Sequence, residues 1–350
     1  MFEKQKAIIY SVIIPTYNRS SSLLRLLTSL ENISFPRNRW EIVVVDNNST
    51  DDTRIKVKEY WKVNDINISY VYEKRLSFTV ARRTGAEHAR GDILVYIDDD
   101  VSVGKEWLKS IEEGFLNNNI GMVGGPIKPK YEEKPPKWVT EMNGIWLSLF
   151  DLGNHIQDVE RIPGPNLSIK KKVLDELGGF PPDTIGVESE GKSEVIEKIY
   201  VGPGDWGLCQ KVRSAGYRII YHPKAIVYHH IPPIRLTREW WKSRFRGEGS
   251  CLVIYEQYEK KFGRIMIFLK IMYSLLEFLK SLIILSITKV LGIKKKEINI
   301  FWVIFSLSKA KAWLVMLFKP SLASELWEMG LSGVSSNQIK QSDRFIRFLR

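Results

Sequence analysis

The chain has 350 residues, 44% of them hydrophobic and 26% charged, with two cysteines and a formal net charge of +12 at pH 7. This is the composition of a folded protein of about two domains; it excludes wholesale disorder, a collagen-like repeat and a disulfide-stapled or cysteine-rich zinc fold. The positive charge is concentrated: residues 260–320 hold twelve Lys/Arg against two acids, Glu277 and Glu297, among long apolar runs, a pattern that favours an anionic membrane surface and no nucleic-acid partner.

The N-terminal lysines and the apolar run at residues 7–14 superficially resemble a secretory signal, but Pro15 interrupts the run and no small-residue cleavage site follows. Residues 8–14 read instead as a buried parallel strand. With the two cysteines, a reducing, cytoplasmic setting is expected. A helix follows over residues 20–30, its leucines at helical spacing and its serines suited to capping. Residues 41–45 predict a second strand, followed by a helix reaching Trp61. Residues 68–72 predict a third strand, residues 79–89 a helix, and residues 93–97 a fourth strand. Strands alternating with helices predict a parallel sheet wrapped by helices.

Ligands of open α/β sheets bind at the carboxyl ends of the strands. Tyr17 and Asn18, Asp46, and Asp98-Asp99-Asp100 all fall there. No G-x-G-x-x-G follows the first strand, so the dinucleotide fingerprint is missing. Three consecutive acids closing a buried strand repel one another unless a cation neutralises them, and hard carboxylate oxygens suit Mg²⁺ or Mn²⁺. A solvated acidic turn would carry the same residues.

Four segments, Val12-Ile-Ile-Pro-Thr-Tyr-Asn18, Val43-Val-Val-Asp-Asn-Asn-Ser-Thr-Asp-Asp52, Ala81-Arg-Arg with Gly91-Asp92, and Tyr96-Ile-Asp-Asp-Asp100, resemble glycosyltransferase family 2 in order and spacing. The resemblance runs from about residue 11 to residue 246. It implies an inverting nucleotide-sugar enzyme with a GT-A fold, a Rossmann-like mixed sheet flanked by helices. It also implies that Pro15, Tyr17 and Asp46 hold base and ribose, that Arg82 lies near the nucleotide, and that Asp98 and Asp100 form the metal-binding pair.

In the second half, Pro163-Gly-Pro-Asn-Leu-Ser168 looks like the family's acceptor-side loop, which makes Asn166 a candidate acceptor contact. Gly202-Pro-Gly-Asp-Trp-Gly-Leu-Cys-Gln-Lys-Val212 is similar to the region that carries the catalytic base, and Asp205 occupies the base position. Gly204 and Gly207 stand where the family often has acids, leaving Asp205 as the one carboxylate of the motif. A helix cap would also account for Asp205. Trp206 could stack on an acceptor sugar or belong to the core. Tyr221-His-Pro-Lys-Ala-Ile-Val-Tyr-His-His230 reads as one strand ending in two histidines, with His229, ahead of His230, matching the family's third metal ligand. Residues 235–246, rich in Arg and Trp, are expected to close over the diphosphate or to lead into a membrane helix. Residues 186–193 spell the phosphate-loop pattern, but they follow Pro181-Pro-Asp and carry Glu188 and Glu190, so an ATPase is not expected.

Residues 265–291 form an apolar helical stretch whose polar residues fall on one narrow stripe. Lys270, Glu277 and Lys280 near its middle oppose insertion, at about 2.5–3.5 kcal/mol for each central charge. A second apolar stretch, residues 300–318, is split by Lys309 and Lys311. Both read as helices lying in a membrane interface; packing on the catalytic core and a transmembrane hairpin are the alternatives. The expected organisation is a catalytic domain over 1–246, a basic amphipathic helical region over 247–320 and a tail over 321–350. The expected function is metal-dependent transfer from a nucleotide diphosphate-sugar to an acceptor hydroxyl, on a lipid-linked glycan, by an enzyme peripherally attached to the cytosolic membrane face. A non-catalytic nucleotide-sugar-binding scaffold is the alternative that the glycines at 204 and 207 leave open.

Overall fold

Continuously apolar sequence in the first strand reflects burial on both faces: Val12, Ile13 and Ile14 are fully buried. The computed structural model describes residues 8–63, 66–185, 199–292 and 296–333. In chain order the first elements are β1 (Tyr10–Thr16), α1 (Ser20–Glu31), β2 (Trp40–Asp46), α2 (Thr53–Val63), β3 (Ile68–Tyr72), α3 (Phe78–His88), β4 (Ile93–Tyr96) and β5 (Val101–Val103). Next come α4 (Trp107–Gly114), β6 (Ile120–Gly124), β7 (Ile127–Tyr131), α5 (Lys137–Thr140), β8 (Gln157–Asp158), β9 (Leu167–Lys170), α6 (Lys171–Glu176), β10 (Thr184–Ile185) and β11 (Ile199–Tyr200). The chain continues through α7 (Gly204–Ser214), β12 (Arg218–Tyr221), β13 (Val227–Ile231), α8 (Arg238–Lys260), α9 (Arg264–Val290), α10 (Lys296–Phe318) and α11 (Leu322–Ser332).

An eight-stranded sheet of order β3-β2-β1-β4-β9-β6-β12-β8 forms the centre. Its first four strands are parallel, as expected, and β9 runs antiparallel between β4 and β6, which makes the sheet mixed. Val12 and Ile14 face a core shared with Leu23, Leu26 and Trp107; Ile13, Val43 and Val45 face the opposite core with Ala81, Leu174 and Leu208. A smaller sheet, β5-β13-β7, sits beside the carboxyl end of β4.

Two local expectations are corrected. The serines of α1 do not cap it: Ser20 and Ser22 lie inside the helix, and the Ser20 N–H donates to Asp51 Oδ2 at 3.2 Å. Residues 221–230 are not one strand. Pro223, which lacks an N–H, sits in a turn closed by Ala225 N–H to His222 O at 3.1 Å. The turn ends β12 in the large sheet and starts β13 in the small one.

The C-terminal helices are built onto this core. Trp241 and Phe245 of α8 stack on Phe301 of α10. Gly249 is needed at the α8–α10 crossing, because a Cβ there would stand 2.6 Å from Phe305 O. Trp327 of α11 stacks on Tyr258 with ring centroids 3.9 Å apart. Ser77, whose Oγ caps α3, also donates to Gly330 O at 2.9 Å. Residues 300–318, read as a split stretch, are one continuous helix packed between α8 and α9. Glu297–Phe318, mean hydropathy 1.6, is long and apolar enough to cross a membrane by length and composition.

Along α9 several polar side chains turn inward and many apolar ones turn outward. Ser274 and Thr288 are buried; Glu277 pairs with Lys309 of α10 at 2.6 Å, and Asn299 donates to Thr288. Ile265, Phe268, Leu269, Leu276, Leu279 and Ile283 point outward, each more than half exposed. The central acid of the helix is thus paired with α10, and the outward face is largely apolar, with Lys280 and Lys289 among its exposed residues.

Candidate functional site

A cavity of about 590 Å³ opens where β1, β4 and β5 meet the loop before β9 and the start of α7, with α8 and α10 closing its far wall. The crossovers of a parallel sheet deliver loops to this edge, which is why Pro15 and Tyr17 at the end of β1 and the three aspartates after β4 line it together. Asp205, Trp206 and Arg82 line it as well.

The three aspartates have different surroundings. Asp99 accepts from Thr16 Oγ1 at 2.7 Å and from Arg19 Nη1 at 3.1 Å. Burial pushes its carboxyl up to about 6 although Arg19 opposes the shift. Asp98 lines the cavity; burial and the neighbouring Asp100 push it up to about 7. Asp100 Oδ2 accepts from Arg19 at 3.1 Å and from Arg235 Nη2 at 2.9 Å. Burial raises its carboxyl too, but the positive charges of Arg235 and Arg19 beside it help to reverse this and hold it well below the usual carboxylate range.

Two atoms answer whether a divalent cation suits these residues. Asp100 Oδ1 is buried with no hydrogen-bond donor among the described residues, and His229 Nε2 faces it at 3.4 Å. The histidine Nδ1 is 2.9 Å from Leu147 O, and Nε2 is 2.8 Å from Arg235 Nη1. A ring protonated at Nδ1, whose Nε2 lone pair accepts from Arg235, satisfies both, and that tautomer, fixed by a backbone carbonyl, is the one that ligates metals. Two acceptors this close suit a positive charge, which the Arg235 guanidinium supplies here by bridging His229 and Asp100. His229 takes this place because the His230 N–H is tied to Asp100 O at 2.9 Å, while the alternation of β13 turns the His230 ring to Ser102. The expected trio of Asp98, Asp100 and His229 is therefore a facing pair plus a separate cavity-lining carboxyl; no group of three acids, histidines or cysteines that could hold a metal occurs among the described residues.

Asp205 lies in the first turn of α7, where the helix N-terminus favours a negative charge. Its Oδ2 accepts the Gly164 N–H at 2.6 Å and its Oδ1 accepts from Arg82 Nη1 at 2.8 Å. Arg82 is 2% exposed, and its guanidinium stands 4.0 Å from the Phe78 ring centroid and 4.8 Å from that of Phe180. A planar cation between two ring faces is held far more rigidly than a lysine would be. Gly164 is required because a Cβ there would lie 2.8 Å from Asp205 Oδ2.

Other expected site residues are placed differently. Asn166 is fully buried: it accepts from Trp107 Nε1 and donates to Ala225 O and Pro126 O, so its polar atoms serve the core and not an acceptor. Asn18, at φ 50°, uses its Oδ1 to hold the Thr50 and Asp51 N–H groups. Asp46 is 1% exposed, accepts from Tyr70 and from the Ser49 N–H, and shapes the loop after β2 from behind. Trp206 is not core: it is 46% exposed on the cavity wall, edge-on to Tyr255. Residues 186–193 lie outside the described residues. Sequence reasoning missed Arg19, which follows the family-like segment at 12–18 with no motif of its own. It also missed Asp183, mentioned only as the flank of the phosphate-loop lookalike.

The sequence matches the family described as glycosyl transferase family 2 over residues 11–178. Among characterised proteins it is similar to glycosyltransferase AglE of Haloferax volcanii, 25% identical over 69% of this chain and 73% of that protein. It is also similar to glucosyl-dolichyl phosphate glucuronosyltransferase of the same organism, 25% identical over 59% of this chain and 64% of that protein. A solved structure of the mannosyltransferase PcManGT from Pyrobaculum calidifontis, in complex with GDP-Man and Mn²⁺, aligns with a TM-score of 0.52 at 19% identity. That alignment covers 95% of this chain and 76% of that one, and the likeness is one of fold.

Proposed function

Since the chain belongs to glycosyl transferase family 2, with the GT-A fold, we propose that it is a metal-dependent inverting enzyme. In this reading it moves a sugar from a nucleotide diphosphate-sugar to an acceptor hydroxyl, on a lipid-linked glycan at the cytosolic membrane face. The observation that carries the reading is that one cavity is lined at once by Pro15 and Tyr17, by Asp98, Asp99 and Asp100, and by Asp205. Pro15 and Tyr17 wall the nucleotide, with Asp46 and Asn18 shaping their loops. Asp100 and His229, with Asp98 beside them, would hold Mg²⁺ or Mn²⁺, which would offset the charge of the donor diphosphate. Asp205 takes the acceptor proton as the hydroxyl attacks the donor carbon from the face opposite the leaving group. Gly164 N–H and Arg82 fix the direction of its carboxylate, and Trp206 offers a ring face to the acceptor.

Support for the membrane comes from α9. A helix that turns its acid inward and its leucines outward is arranged for an apolar medium, and the exposed Arg264, Lys280 and Lys289 suit anionic headgroups. The test is nucleotide release by the purified chain from UDP-, GDP- and dTDP-sugars, with and without Mn²⁺, with lipid extract as acceptor. One nucleotide is expected, released only with cation and acceptor together. Release that ignores the cation would remove the metal from the proposal, and no release from any donor would remove the reaction.

A further inference from the structure

Beyond its aspartates the cavity has an apolar wall with no part in the chemistry. Leu252, Tyr255 and Phe305 line it, and it can be followed step by step away from Asp205. Trp206, the residue after the base, stands edge-on to Tyr255 with ring centroids 6.4 Å apart. Tyr255, Leu252 and Gly249 fall at steps of three along α8 and so share one face of that helix. At Gly249 this face meets α10, where a Cβ would stand 2.6 Å from Phe305 O. Trp206 is 46% and Leu252 45% exposed, so the row is a surface and not a stretch of core.

The row continues past the cavity. Lys309 Nζ lies 5.9 Å from the ring centroid of Phe305 and 5.9 Å from that of Tyr273 on α9, so one ammonium joins the two rings. Its charge is matched by Glu277 at 2.6 Å, just as Arg244 and Glu248, which line the cavity from α8, pair with each other at 2.8 Å. Tyr273 is 59% exposed, and Leu269 and Leu276, four residues before it and three after, share its outward face. Apolar side chains thus lead from beside the base to the side of α9 that the membrane reading seats in lipid.

We propose that this row seats the hydrocarbon tail of the acceptor. The acceptor sugar lies over Trp206 with its hydroxyl at Asp205, and its tail runs along Leu252 and Phe305 to enter the bilayer at Tyr273. The acceptor class is therefore a sugar carried on a long hydrocarbon chain, and not a tail-less soluble glycan. A tail drawn out of lipid exposes its methylenes to water, and an unbroken apolar path removes that cost. The inference rests on the reading of glycosyl transfer to a lipid-linked acceptor and says where the lipid lies.

The experiment is photolabelling on phosphatidylglycerol vesicles, with the labelled peptides mapped by mass spectrometry. Two probes carry a diazirine midway along the tail, a dodecyl β-glucoside and a phosphatidylglycerol. The glucoside should label the peptide that holds Leu252 and Tyr255 and the peptide that holds Phe305, whereas the phospholipid should label α9 and neither of these. Leu252→Glu should cut glucoside labelling of both peptides about tenfold, the worth of one buried leucine. Thermal stability, nucleotide affinity and phospholipid labelling of α9 should stay native, and Leu252→Gln should act in the same direction to a smaller extent. Glucoside labelling that is absent or confined to α9, equal labelling of the wall by both probes, or labelling unmoved by Leu252→Glu each overturns the inference. Labelling needs no turnover, so the two readings fail separately: nucleotide release without labelling of the wall overturns this inference alone. No release from any donor with lipid extract overturns the parent reading and takes this inference with it.

Discussion

Among single residues, Glu73 shows how the scaffold aims the site. It follows β3, its N–H donates to Asp46 O at 2.8 Å, and its carboxylate accepts from Arg75 and from Thr84 Oγ1. It thereby ties the end of β2 to α3, the helix that carries Arg82. Burial would raise its carboxyl, but the bonds from Arg75 and Thr84 win and hold it at about 2, below its ordinary value of 4.5. A depressed carboxylate stabilises the fold above the unfolded value, and that contribution is lost as pH falls through the folded one. Allowing for solvent around Arg75, which is half exposed, Glu73→Gln should cost on the order of 2 kcal/mol at neutral pH. In urea melts the variant and native curves should converge as pH falls from about 4.5 toward 2; a gap that persists at the acid end would contradict the pairing.

The element whose function depends most on its surroundings is α9. Exposed apolar side chains on a water-facing helix could be replaced at little cost, usually within about 0.5 kcal/mol. On a face seated in lipid, the same replacements remove binding, since a charge there costs about 2.5–3.5 kcal/mol even on lenient scales. Leu276→Glu with Ile283→Glu should leave thermal stability unchanged and abolish flotation with vesicles containing phosphatidylglycerol. Unchanged flotation would show that this face does not meet the bilayer. The stripe pattern was legible in the sequence, because spacing alone separates the polar and apolar sides of a helix. Which side turns inward was not, because it depends on Lys309 and Asn299 of α10, partners that local periodicity does not contain.

Across the whole molecule, the sheet was legible in β1, β2 and β4, which are buried on both faces, and in the half-buried edge strand β3. β3 has the expected bounds, and β1, β2 and β4 fall within two residues of theirs. The reading lapsed where the chain changes sheets at Pro223, since one apolar run there serves two strands. For the site, Asp205, Arg82, Trp206 and the three aspartates were found by motif and meet in one cavity. Asn166 was misplaced because a motif fixes the backbone of a loop and not the side of it that faces the core. The fold thus brings Pro15 and Tyr17, the three aspartates and Asp205 from three separate stretches to one opening beside an apolar helix pair.

That convergence is tested most directly by Asp205→Asn, assayed for sugar transfer with the donor that the native chain uses and for nucleotide binding by calorimetry. The account predicts transfer lost by at least about a hundredfold, as for removal of a general base, with the nucleotide still bound at native affinity. Transfer at the native rate would show that the proton leaves by another route and that the centre of the site has been placed wrongly.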